Sequence, residues 1–208
     1  MKPTLVALVG KSATGKTFWA DHLYNSFDFP GTRDKLISYT TRPPRVNELN
    51  GKDYYFVSWS EFEDMKNNNE FLETTYYKGW YYGHKKYTSH ADYVIGIFDP
   101  AGIKNVVHNH RKDFSDIIVI YLEAGFFTRL HRMYEREGKW QKEYFRRIFV
   151  DTKSFYHLID DLVKQNCWVI PVNTKSSISH NIYYIQDKCK YIHMRRVEKD
   201  RLNGINIG

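Results

Sequence analysis

At 208 residues, with 42% hydrophobic and 17% aromatic content, the chain is long enough for one well-buried core and too short for two ordinary domains, and its composition excludes disorder. A formal charge of +7 admits nucleic acid, an anionic membrane or small phosphorylated ligands as partners. The longest apolar runs, residues 5–9 and 117–122, are too short to cross a bilayer and nothing at the start reads as a signal peptide, so a single-domain cytoplasmic protein without membrane contact is expected.

Residues 5–9 form an uninterrupted apolar run, the pattern of a strand covered on both faces in a parallel sheet. Residues 10–17 follow directly and fit G-x-x-x-x-G-K-[ST], and Phe18, Trp19 and Leu23 then recur at helical spacing. Strand, glycine loop and helix in this order hold a triphosphate. The glycines let backbone N–H groups turn inward, the lysine meets the β- and γ-phosphates, the hydroxyl meets Mg²⁺, and the helix presents its positive end. A chance glycine-rich turn is the alternative, and the context argues against it. Gly10, Ser12, Gly15, Lys16 and Thr17 are therefore the candidate ATP contacts, with Thr17 also a Mg²⁺ ligand.

A turn at Pro30-Gly31 leads to a predicted strand over residues 36–40 and then to Thr40-Thr41-Arg42-Pro43-Pro44-Arg45, where the prolines exclude helix and stiffen a loop bearing two guanidinium groups. Planar forks suit a dianionic phosphate. Ser58 and Ser60, each with a glutamate three residues later, offer two capping boxes for a helix through Met65.

The stretch Ile37-Ser38-Tyr39-Thr40-Thr41-Arg42-Pro43-Pro44-Arg45, with Glu48, Gly51-Lys52-Asp53-Tyr54-Tyr55-Phe56-Val57, Glu70-Phe71-Leu72-Glu73 and Tyr81-Tyr82-Gly83, resembles the nucleotide-monophosphate-binding region of guanylate kinases. These motifs follow the glycine loop in family order and at family spacing. The resemblance implies a P-loop NTPase three-layer α/β fold in one domain. Its parts are a parallel central sheet (core 1–33, 92–133 and 147–190), an inserted mixed α+β region that binds a nucleoside monophosphate (34–91), a short lid (134–146) and a basic extension (191–208). It also implies an ATP-dependent kinase of purine nucleotide metabolism that converts GMP or dGMP to the diphosphate, with Mg²⁺ as cofactor.

By the same resemblance, Arg42, Arg45, Tyr54 and Tyr82 surround the acceptor's phosphate, while Ser38 and Glu73 face its purine. The chemistry agrees: a carboxylate accepts two hydrogen bonds from guanine's N1–H and exocyclic amine, a pattern adenine cannot supply. For the two tyrosines, aromatic packing in a small sheet is the competing reading. On the base-binding side the family pattern is departed from at two positions. His84 stands where a small hydroxyl residue is usual, and an imidazole there is a base contact by hypothesis. Ile97 replaces the first of two family acids, leaving Asp99 as the expected Mg²⁺ contact through water and equally as an N-cap before Pro100. Both departures loosen the expectation of guanine more than that of phosphoryl transfer.

Residues 116–122 read as another buried strand and residues 126–136 as a helix with Arg132 and Arg136 on one face. Residues 137–142 interrupt it, and helical patterning resumes over 144–163. In the family this interruption is the lid, and Arg132, Arg136 and Arg147 match the spacing of its phosphate-clamping arginines. With Lys16 and Arg45 they complete the candidate catalytic set, in which charge neutralisation behind a water-excluding lid needs no general base. An ordinary arginine-rich helix pair is the plainer alternative.

A last strand spans 167–172, Asn173 matches the family's adenine contact with Thr174 in place of the usual acid, a turn residue or helix cap being the equal alternative, and a helix from Ser176 runs into a tail expected to fray over 203–208. Cys167 and Cys189 read as reduced thiols, and His108 and His110 as a solvated helix end without metal. Acids intersperse the tail's basic residues, so nucleic-acid binding is not expected. ATP and a nucleoside monophosphate are the expected partners of a monomer or homodimer. Two other functions remain open: a kinase of the same fold acting on another nucleotide or sugar phosphate, and a catalytically silent guanylate-kinase-like interaction module, against which Lys16 and Thr17 argue.

Overall fold

A computed structural model describes residues 2–26, 31–46, 48–88, 90–138, 140 and 142–202, the side chains of 137, 143, 146, 147, 149, 150 and 152 excepted. β1 (Thr4–Gly10) is buried along its whole length, as an apolar run in the middle of a covered sheet must be. It pairs in parallel with β7 (Tyr93–Ile97) and with β8 (Ile117–Glu123). β2 (Arg33–Leu36) joins beyond β7 and β9 (Trp168–Asn173) beyond β8, giving the order β2-β7-β1-β8-β9.

Alternation along β1 divides the core into two layers. Leu5, Ala7 and Val9 pack with Ile103 and Val106 of α3 (Pro100–His110) and with Leu158 and Leu162 of α6 (Leu158–Lys164). Val6 and Leu8 pack on the other face with Trp19 and Leu23 of α1 (Lys16–Asn25) and with Ile185 and Ile192 of α7 (Ile178–Leu202). Cys167 lies in the first cluster and Cys189 in the second, both as buried free thiols. Among the described residues no helix is long and apolar enough to cross a membrane.

A second sheet, ordered β4-β3-β6-β5, is built from β3 (Tyr39–Thr40), β4 (Tyr55–Phe56), β5 (Phe71–Tyr77) and β6 (Trp80–Lys85). Lys78 and Gly79, both at positive φ, close the β5–β6 hairpin in two residues. A bulge between Phe71 and Glu73 then shifts the ladder, so that Glu73 pairs directly with His84. α2 (Trp59–Asn67) covers this sheet by stacking Phe62 on Phe71 and Tyr81 at 4.5 and 5.2 Å. Its start uses the Ser58 and Glu61 capping box; the alternative at Ser60 lies inside the helix.

Two sequence expectations change. The single strand over 36–40 is two strands in different sheets, because Ile37 and Ser38 carry the chain from β2 across to β3. The helix expected over 144–163 is divided into α5 (Lys142–Ser154) and α6, because His157 takes a left-handed backbone at φ 60° and a turn intervenes. Before it, α4 (Phe126–Glu137) ends at Gly138, whose φ of 68° suits a glycine C-cap. The fraying expected at 203–208 lies outside the described residues.

Candidate active site

The turn after β1 is shaped by two glycines with different tasks. Gly15 sits at φ 92° ahead of α1, and at Gly10 a Cβ would stand 2.7 Å from both the Leu122 carbonyl oxygen and Thr14 Oγ1. Lys16 folds back across the loop they make, its Nζ donating to the carbonyl oxygens of Gly10 at 2.8 Å and Lys11 at 3.3 Å. Burial is the strongest influence on that ammonium and pushes its pKa down to about 8, with Asp151 and Asp99 pulling the other way. Thr17 is exposed on the first turn of α1.

The same loop is braced from the far side by residues the sequence did not single out. Ser12 donates its backbone N–H to Asp151 Oδ2 at 2.8 Å and its hydroxyl to Oδ1 at 3.2 Å. Arg129, 3% exposed, donates Nε to the Ser12 carbonyl at 2.8 Å and pairs with Asp151 at 2.5 Å. Helices α4 and α5 thereby hold Ser12 by both of its peptide groups. The one hint available in sequence was that Arg129 lies three residues before Arg132, on the same helix face.

Arg132 joins this brace. Its Nη1 lies 3.3 and 3.2 Å from the carbonyl oxygens of Ala13 and Thr14 and 3.2 Å from Thr174 Oγ1, tying the loop to the end of β9. Arg136 is exposed on α4, and its charge reaches Lys16. Arg147 is on α5, its side chain outside the described residues. Asn173 closes β9 and accepts the Lys175 N–H on Oδ1 at 3.0 Å, an Asx-type turn on an exposed side chain.

Across the sheet edge stands a second cationic group. Arg42, 8% exposed, gives Nη2 to both oxygens of Glu48 at 2.9 and 2.8 Å, and its guanidinium lies 5.4 Å from the Tyr54 ring centre. Arg45 donates its backbone N–H to Glu48 at 2.7 Å, while its own guanidinium, 3.7 Å from the same carboxylate, is largely exposed. Burial works to raise the Glu48 pKa, but the Arg45 N–H and the Arg42 guanidinium outweigh it and hold the carboxylate below its ordinary range. Tyr82 meets Tyr54 edge to face at 6.1 Å. The structure thus gathers Arg42 and Arg45 on Glu48, a residue whose role sequence reading left blank, with Tyr54 against Arg42 and Tyr82 against Tyr54.

The three residues expected at the base form one chain. Ser38 Oγ lies 2.8 Å from His84 Nε2, and His84 Nδ1 lies 2.7 Å from Glu73 Oε1. Both the imidazole and the carboxylate are buried, with the ring against Phe98. Asp99 N-caps α3 by accepting the Gly102 N–H at 2.7 Å, the capping role expected before Pro100. A Cβ on Gly102 would stand 3.0 Å from Glu73 Oε2, so the first turn of α3 abuts the Glu73 carboxylate.

Comparison with known proteins places this arrangement. The family model for guanylate kinase matches residues 2–166. A guanylate kinase of Lactobacillus acidophilus is 33% identical over 150 residues, covering 70% of this chain and 71% of that protein. One of Clostridium tetani is 30% identical over 175 residues, covering 81% and 78%. Among solved structures, a guanylate kinase from Anaplasma phagocytophilum superposes with a TM-score of 0.57 at 18% identity, over 93% of this chain and 86% of the other, a likeness of fold.

Proposed function

From the premise that the chain belongs to the guanylate kinase family, whose members move a phosphoryl group from ATP to GMP, we propose which of its residues carry that reaction. ATP lies on the loop of Gly10, Ser12 and Gly15, with Lys16 on its outer phosphates and Asn173 at the adenine. The phosphate of GMP takes the guanidinium groups of Arg42 and Arg45 and the hydroxyls of Tyr54 and Tyr82. Ser38, His84 and Glu73 form the wall that meets the base. Arg132, Arg136 and Arg147 converge on the transferring group as the lid closes, and water is thereby excluded.

The observation that carries this reading is the position of Asp99. It follows β7, the neighbour of the strand that delivers the glycine loop, and its charge acts on Lys16. The helix it caps touches Glu73 through Gly102. The ATP end and the acceptor end therefore meet at one turn, at the carboxyl ends of parallel strands where such sheets bind ligands.

Transfer asks little covalent chemistry of the protein. A phosphate oxygen of the acceptor bonds to the γ-phosphorus of ATP as the bond to the bridging oxygen breaks, and ADP leaves. Alignment and charge neutralisation account for the acceleration, so no general base is assigned. Mg²⁺ fits the residues present: Thr17 is exposed beside Lys16 on the first turn of α1, and Asp99 adds a carboxylate whose field reaches the same lysine. When bound, the ion neutralises charge on the β- and γ-phosphates. Working on dissolved nucleotides, the enzyme belongs in the cytoplasm.

A panel of nucleoside monophosphates with Mg·ATP, followed by coupled release of ADP, tests the proposal. Turnover of GMP and dGMP is expected. Silence with every acceptor would turn the chain into a binding module.

A further inference from the structure

The carboxylate that meets the base is already half committed. The bulge in β5 sets Glu73 opposite His84, and a carboxylate oxygen has two lone pairs to offer. On Oε1 both are in use: the His84 backbone N–H donates at 3.2 Å, and Nδ1 of the same residue lies 2.7 Å away. An ionised carboxylate only accepts, so the network assigns the hydrogen to Nδ1. Nε2 of the same ring lies 2.8 Å from the Ser38 hydroxyl, which fixes the imidazole from its other side. His84 is 3% exposed and Glu73 7%, so water does not exchange freely for these bonds.

Oε2 keeps the remaining capacity. Its one partner among the described residues is Thr75 Oγ1, at a marginal 3.4 Å. The neighbouring carboxylate, Asp99, has Oδ1 on the Gly102 N–H. Glu73 therefore offers a base one oxygen, and cannot meet N1–H and a 2-amino group with one oxygen each.

Guanine and hypoxanthine both present N1–H at that edge, and guanine alone adds a 2-amino group. A site rejects an analogue lacking a donor when a buried acceptor is left unpaired, and here the analogue leaves none unpaired at Glu73. Adenine instead presents the lone pair of N1 to the carboxylate, an unfavourable contact. Resting on the acceptor roles proposed above, we infer that this site selects 6-oxopurines by N1–H and is nearly blind to the 2-amino group, so that it phosphorylates IMP as well as GMP. His84 is the positioning residue that sets this breadth by occupying Oε1. The transfer itself is unchanged: an IMP phosphate oxygen bonds to the γ-phosphorus, giving IDP and ADP.

Initial rates at saturating Mg·ATP over ranges of GMP, IMP and AMP provide the test. In the native enzyme, kcat/KM for GMP should exceed that for IMP by less than about tenfold, the lower bound expected when a hydrogen bond to a charged group is forgone. A larger ratio, or AMP used as well as IMP, overturns the inference. His84→Ala frees one position on Oε1 and should widen the ratio by roughly ten- to a hundredfold, through KM more than kcat, while His84→Gln restores an amide donor to that oxygen and returns the ratio toward the native value. An unchanged ratio in a folded His84→Ala enzyme removes His84 from this role, and should that variant fail to fold the native ratio decides alone. A chain that phosphorylates neither GMP nor IMP overturns the proposed function itself, whereas one that takes GMP and refuses IMP overturns only this inference.

Discussion

Lys16 and Glu48 show how single charges in the site are held before any ligand arrives. Lys16, with its pKa pushed down to about 8, pairs with phosphate only as the ammonium. ATP binding should accordingly take up a proton near and above that pH, and affinity should weaken as the solution moves from pH 8 to pH 10, by up to about tenfold per unit. Calorimetric titration across pH 7–10 measures this; a flat affinity would mean the ammonium stays charged throughout. Glu48 anchors Arg42 on both of its oxygens. Its replacement by alanine leaves a buried guanidinium uncompensated, with an expected loss of about 3 kcal/mol by chemical denaturation and a raised KM for GMP, that for ATP holding steady. Lys16, Arg42 and Arg45 could be singled out in sequence because they stand in contiguous motifs. Glu48 was in plain view without a role, since a carboxylate between two arginines gains meaning only when the chain folds over it.

Local patterns were enough for most elements and not for the joints between them. The capping box at Ser58 and the apolar runs of β1 and β8 announce themselves within a few residues. The crossing from β2 to β3 does not, because extended geometry continues through Ile37 and Ser38 while the pairing partner changes. The brace that α4 and α5 place on the glycine loop was illegible for a related reason: Asp151 meets Ser12 across 139 positions of sequence. That brace is open to a direct test. Asp151→Ala should leave Arg129 buried without a counter-charge, lower stability by about 3–5 kcal/mol and raise KM for ATP several-fold, with faster amide exchange over residues 11–14. Unchanged exchange there would mean that α5 touches the loop without holding it.

The fold was readable because its sheet rests on three central strands, β7, β1 and β8, buried almost end to end with helices on either side, and buried apolar runs are the strongest signal a sequence carries. What decides the substrate is less legible at this scale, since β5, β6 and α3 each contribute one part of the wall proposed to meet the base. The net charge of +7 acts on the molecule as a unit and favours the approach of polyanionic nucleotides. Raising the ionic strength from about 0.01 to 0.15 M should therefore lower kcat/KM for GMP while kcat changes little, because screening weakens encounter more than contacts formed inside a closed site. Stopped-flow or steady-state rates against salt would expose the opposite case, in which both fall together and charge matters mainly to the closed complex.

Gly102 gives this architecture an adjustable stop. Lacking any side chain, it lets a helix turn rest against Glu73, and a single methyl added there would press on an oxygen only 3.0 Å away that His84 keeps from retreating. The smallest possible enlargement would thus press on Glu73 and on the Asp99 cap at once, so that a single hydrogen in place of a methyl lets the reading of the nucleobase and the handling of phosphate share one turn of backbone.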